Sequence, residues 1–168
     1  QEWSLASGFP SAVVIYEGRL WFAGISRIWG SVSDAYTSFD LDKAGDAGPI
    51  NRSIGHGAIQ NINWLLPLSR LMLGGDTTIV TARSNSFDEP LTPTVFILKD
   101  SLTLAASAMR AVKIDTGGIF VSQSGRKAYE TFFDVQKTDF SANDLTRLNP
   151  DIGSTGFYDI AVQREPDT

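Results

Sequence analysis

The chain has 168 residues, 42% of them hydrophobic and 20% charged, with 19 acidic against 14 basic side chains, a net charge of −5 and no cysteine. Its composition is that of a folding globular chain, and roughly 70% of the unfolded surface is buried in a domain of this length. Disulfide frameworks, cysteine-based zinc sites and thiol catalysis are excluded; the acidic balance argues against a surface built to neutralise phosphates, and no apolar run approaches the roughly 20 residues of a membrane-spanning helix.

The first residues, "QEWSLASG", show neither an initiator methionine nor the pattern of a signal peptide, so the chain reads as a single β-rich domain, 1–168, cut from a larger protein. From residue 8, "GFPSAVVIYEGRLWFAGISRIWGSVS" gives three apolar runs separated by two short turns. "AVVIY" leads through Glu17-Gly18 into "RLWFAG", and a second turn leads into Ile28–Val32. Alternating apolar runs around such turns are hairpins. Residues 40–60, rich in Gly and Asp, read as a loop crossing the surface.

The pattern then returns. "INWLL", "PLS" and "SRLMLGGDTTIVTARS" repeat run, turn and hairpin, and so do "AVKI", "DTG" and "GGIFVSQSGRKAYETF". With Leu20, Leu71 and Ile119 aligned, the second strands fall at Ile28–Val32, Ile79–Ala82 and Ala128–Phe133, and the period is about 50 residues. Between them, "LTPTVFIL" (91–98) predicts an outer strand after a Pro-marked turn. "SLTLAASAMRA" from Ser101 has the composition of one or two helical turns, and "SANDLTRLNP" from Ser141 reads as a short helix capped by Ser141, with Asp144 in its first turn and Pro150 after its end. "DIAVQ" at Asp159 reads as the opening strand of another copy.

The units run over 8–58, 59–108 and 109–158, with a partial fourth at 159–168. Three units and a fragment predict an all-β, β-propeller-like array of antiparallel hairpins with one or two short helices; a single β-sandwich with evenly spaced turns is the alternative. Trp21, Phe22, Trp29, Trp64, Phe120 and Phe133 lie on or beside the repeated strands and are expected to pack between sheets.

Motifs for chemistry are sparse. His56, the single histidine, sits between two glycines in the loop at 40–60. "SGRK", Ser124 to Lys127, matches SxxK in form, but it falls on a hairpin turn rather than at the start of a helix. "DLDKAGD", Asp40 to Asp46, begins like a calcium loop, yet Ala44 takes a ligand position and Asn51 stands where a closing Glu belongs. No enzymatic activity, cofactor or metal is therefore expected. The loops at 40–60 and 84–93 remain as candidate contact surfaces, carried by Asp40, Asp42, Asp46, Asn51, His56, Asn85, Asp88 and Glu89.

"GFPSAVVIYEGRLWFAG" followed by "IWGSVSDAYTSFD" resembles a segment of the large tail and head–tail structural proteins of bacteriophages and prophages, most like the nozzle or tubular tail proteins of short-tailed phages. Gly8, Phe9, Pro10, Ala12, Val13, Arg19, Leu20, Phe22, Ala23, Gly24, Trp29, Gly30, Ser31, Tyr36 and Phe39 carry the pattern; "INWLLPLSRLMLGG", "LTPTVFIL", "SGRKAYETFFD", "DLTRL" and "DIAVQREPDT" continue it. The Gly-rich residues 40–58 depart from the regular strand usual there in such proteins. The resemblance implies a virion component made in the bacterial host cytoplasm, forming part of the wall of the DNA exit channel. Its partners would be other tail or connector proteins and further copies in a ring, with DNA passing through unread and without a membrane segment. A tail-associated adhesin or carbohydrate-binding module is the alternative; it requires exposed tryptophans. A glycan hydrolase of the propeller class would require two convergent carboxylates.

Overall fold

A computed structural model of the chain describes residues 3–5, 8–55, 61–86 and 89–163. It is all-β, with three four-stranded antiparallel sheets, none of them closed. Sheet A is formed by β1 (Ala12–Tyr16), β2 (Arg19–Gly24), β3 (Arg27–Gly30) and β4 (Ile50–Ser53). Sheet B comprises β5 (Ile62–Pro67), β6 (Leu71–Gly75), β7 (Ile79–Arg83) and β8 (Ile97–Leu102). Sheet C comprises β9 (Val112–Ile114), β10 (Gly117–Val121), β11 (Ala128–Asp134) and β12 (Asp139–Asp144). In each sheet the strands follow one another in chain order.

The turns follow from local chemistry. Glu17 and Gly18 both take positive φ, 47° and 68°, the geometry of a two-residue turn whose twist suits the strands it joins. The β2–β3 turn uses the same geometry at Ile25 and Ser26, at 45° and 58°. That conformation is costly for a β-branched side chain.

Strand alternation builds two separate cores. Trp21, Ala23 and Ile28 of sheet A meet Leu65, Leu71, Leu73, Val80 and Ala82 of sheet B. The opposite face of sheet B presents Trp64, Leu66, Met72 and Ile79 to Phe120 and Phe140 of sheet C, with Tyr129, Phe133 and Ala142 packed against them. Sheet B is thus the middle layer, buried on both faces. The first strands of the sheets lie against one another, β1 on β5 and β5 on β9, while β8 lies against β12 at the far edge. Two indoles sit over glycines on the adjoining strand: Gly30 pairs with Trp21 and Gly74 with Trp64, and a Cβ at either glycine would strike the ring.

Five expectations need correction, and in the first four tertiary contacts prevailed over local preference. Neither helix forms. Ser141–Asp144 belongs to β12, because Phe140 and Ala142 extend a period-two apolar pattern onto the core facing β11. In 101–111 the backbone is committed to sheet ends: Ala106 N–H donates to Gly75 O, Ser107 N–H to Val121 O, and Ala105 O accepts from Gln123. The helical element among the described residues is a single 3₁₀ turn, Pro150–Gly153.

The outer strand expected at 91–98 begins instead at Ile97, because Leu91 and Phe96 leave the ladder and fold into the A–B core. The loop expected over 40–60 contains β4, which Ile50 anchors in that core. The opening strand expected at Asp159 takes no strand pairing within 159–163, where the chain runs on irregularly past the β10–β11 turn.

Polar groups fasten B to C at the edge. Asp139 is buried, and its carboxylate accepts from Ser101 Oγ at 2.8 Å and pairs with Lys99 Nζ at 2.7 Å. Burial pushes the Asp139 carboxyl upward, but bonds from Lys99, Ser101 and the Phe140 N–H outweigh it and hold the pKa below the ordinary value. A depressed folded-state pKa contributes stability that is fully present above the unfolded value of about 3.9 and is lost as pH falls through the folded value. Urea unfolding at a series of pH values should therefore show Asp139→Asn less stable than the parent at neutral pH, with the gap narrowing only below about pH 4; a gap constant across that range contradicts the assignment.

Candidate functional site

The outward face of sheet A is the most distinctive surface. Cross-strand register sets Val13, Phe22, Trp29 and Asn51 in one row, and Ile15 beside Leu20 in the next. Val13 and Ile15 are 58% and 60% exposed, whereas Trp29 is only 7% exposed. The Trp3 ring covers this end, edge-on to Phe22 at 5.1 Å, Trp29 at 5.6 Å and Phe39 at 6.4 Å between centroids. Beside these rings lies an apolar pocket of about 380 Å³ whose walls include Trp3, Trp29, Phe39, Leu41, Pro49 and Ile50. The indole N–H groups of Trp3 and Trp29 are buried without a hydrogen-bond partner. A buried donor left unpaired is costly.

Arg19 positions the loop that frames this pocket. It is buried at an inward-facing strand position, and its guanidinium donates to the carbonyls of Ser31, Gly48 and Asp46, each at 2.6 Å. Burial draws its pKa down, while the charges of Asp34 and Glu17 oppose that shift. Five donors in a rigid fork allow one side chain to tie three backbone oxygens. Residues 40–48, with few apolar side chains of their own, are held to sheet A in this way.

The predicted contact residues are spread over this framework. Asp40 and Asp42 are exposed, with the Asp42 N–H donating to Asp40 Oδ1 at 3.1 Å. Asp46 is exposed and accepts from Thr94 Oγ1 at 2.7 Å, joining this loop to the segment before β8. Asn51 is not on a loop: it lies in β4 opposite Trp29, half-buried. Asn85 and Glu89 are exposed, and Glu89 accepts from Ser84 Oγ at 3.0 Å. His56 and Asp88 lie outside the described residues.

The other motifs settle into local roles. Ser124 shares a 2.9 Å hydrogen bond with Ser122 on the β10–β11 turn, and Lys127 Nζ pairs with Asp144 at 3.4 Å. Among the described residues no three His, Cys, Asp or Glu side chains are grouped to hold a metal ion. Trp21, Trp64, Phe120 and Phe133 pack between sheets as expected, whereas Phe22 and Trp29 lie on the outward face of sheet A under Trp3. Missed by the sequence reading were Trp3 as a cover, the exposed Val13–Ile15 pair, and the work of Arg19, whose signal is a charge at an inward position of an alternating strand.

No protein-family model matches the chain, and no curated protein matches it.

Replacing Arg19 by Met keeps the length of the side chain and leaves the buried carbonyls of Ser31 and Gly48, and the part-buried one of Asp46, without their donor. The loss expected is about 2–4 kcal/mol in chemical denaturation, since each unsatisfied buried group costs on the order of 1–3 kcal/mol. Protease cleavage in 40–48 should also rise. An unchanged denaturation midpoint and cleavage pattern contradict the clamp.

Proposed function

We propose that the chain is a structural component of a phage virion tail or head–tail assembly, that its three sheets are successive blades of a propeller-like array, and that it forms part of the wall of the DNA exit channel. The observation that carries this reading is the threefold recurrence of a four-stranded meander, stacked in chain order over two continuous cores. Adjacent sheets packed in this way resist bending, which is what a wall requires. The resemblance of "GFPSAVVIYEGRLWFAG" and the segments after it to phage tail proteins supplies the biological setting. The net charge of −5 suits a wall along which DNA slides without being held.

The loops at 40–60 and 84–93 make the subunit contacts in this reading. A glycan-binding role is less well supported, because Trp21, Trp29 and Trp64 are each at most 7% exposed and offer little ring surface to a sugar.

Particles purified from the phage or induced prophage that encodes the chain provide the test. Quantitative mass spectrometry should find its peptides in the tail fraction in several copies per particle, and a disrupted gene should yield heads that do not eject DNA. Particles that lack the peptides and infect normally overturn the reading.

A further inference from the structure

We propose that the open face of sheet A receives the open face of sheet C from a second copy of this chain, so that two copies close a six-sheet ring through two equivalent interfaces. The proposal rests on the stacked-blade reading above and names its partner.

The two internal interfaces share one rule: the same side of each sheet faces the next sheet in the chain, and first strands meet, β1 on β5 and β5 on β9. Applying the rule once more leaves two unmatched faces, one of each kind. On sheet A these are Val13 and Ile15 of β1 with Leu20 of β2 beside them, while Phe22 and Trp29 at the far end of the row lie under Trp3. On sheet C the side opposite Phe120 carries Val112 and Ile114 of β9, Ile119 of β10 and Phe132 of β11, all half-buried. Each chain therefore holds both halves of a front-to-back contact, and β9 of one copy meets β1 of the other.

The polar groups also match. Sheet A's open face carries the exposed Arg27 on β3, the third strand of its sheet. Sheet C's open face offers the exposed Glu130 on β11, also a third strand, with Asn143 paired beside it on β12. A negative charge on the third strand of sheet C thus answers a positive charge on the third strand of sheet A. A head-to-tail contact either closes or runs on as a filament. Two copies of three sheets give six, within the range of roughly 4–8 blades in which such arrays close.

Because the chain lacks cysteine, the geometry can be read by crosslinking. Sedimentation of the whole chain should give twice 18.3 kDa, and Ile15→Glu, at a position already exposed within one copy, should shift the particle to a folded monomer with at least a tenfold weaker association. Ile15→Cys and Ile114→Cys chains, made separately and mixed under oxidising conditions, should form a disulfide-linked heterodimer that neither forms alone. A monomer at every concentration, a dimer indifferent to Ile15→Glu, or Ile15→Cys chains that crosslink to themselves each overturn the proposal. A monomer would leave the tail assignment standing, since that is decided by the contents of the particle.

Discussion

A sheet that is apolar on both faces must be covered twice, and sheet B is such a sheet. Along β5 and β6 the side chains alternate between two cores, Leu65, Leu71 and Leu73 toward sheet A, and Trp64, Leu66 and Met72 toward sheet C. Neither side can be left to water without exposing several large apolar groups, each worth roughly 1.5–3 kcal/mol when buried. Sheets A and C are therefore conditions of B's stability. They in turn keep one apolar side each, and that asymmetry of a covered middle and two open ends gives the molecule its capacity to extend by stacking.

Backbone and side-chain polar groups finish what the cores begin. Arg19 gathers the carbonyls of Ser31, Asp46 and Gly48, converting a Gly- and Asp-rich excursion into a fixed rim around the aromatic pocket. At the opposite end of the stack, Lys99, Ser101 and Asp139 bridge the outer strands of B and C, and Thr81 extends the chain through its 2.8 Å bond with Ser101. The bonds from Lys99 and Ser101 to Asp139 lie at the sheet edges, where slight sliding would otherwise be cheap, and fix how sheet C sits on sheet B.

Much of this was legible in the sequence. The hairpins were, because period-two alternation around Glu17-Gly18, Pro67–Arg70 and Asp115-Thr116 leaves few alternatives, and so was the burial of the repeated aromatics. The fourth strand of each sheet was harder. β4 hides in "INRS", four residues with one apolar anchor; β8 begins late because Leu91 and Phe96 are drawn into the core; and β12 is disguised by a capping pattern at Ser141. Outer strands are specified by what they pair with, so local composition describes them poorly. The open face was legible only in part: alternation marks Val13 and Ile15 as sharing a side with Phe22, but that Trp3 covers only the Phe22 end and leaves Val13 and Ile15 exposed among the described residues is a fact of three dimensions.

Amide hydrogen exchange of the whole chain, read by mass spectrometry, tests the layered account most directly, because protection follows burial and local opening. Slowest exchange is expected in Leu71–Gly75 and Ile79–Arg83, the inner strands of the doubly covered sheet, with β2 and β10 intermediate and β4 and β12 fastest among the strands. Uniform exchange across the three sheets, or a middle sheet that exchanges as fast as β4, would contradict a structure held together from its centre.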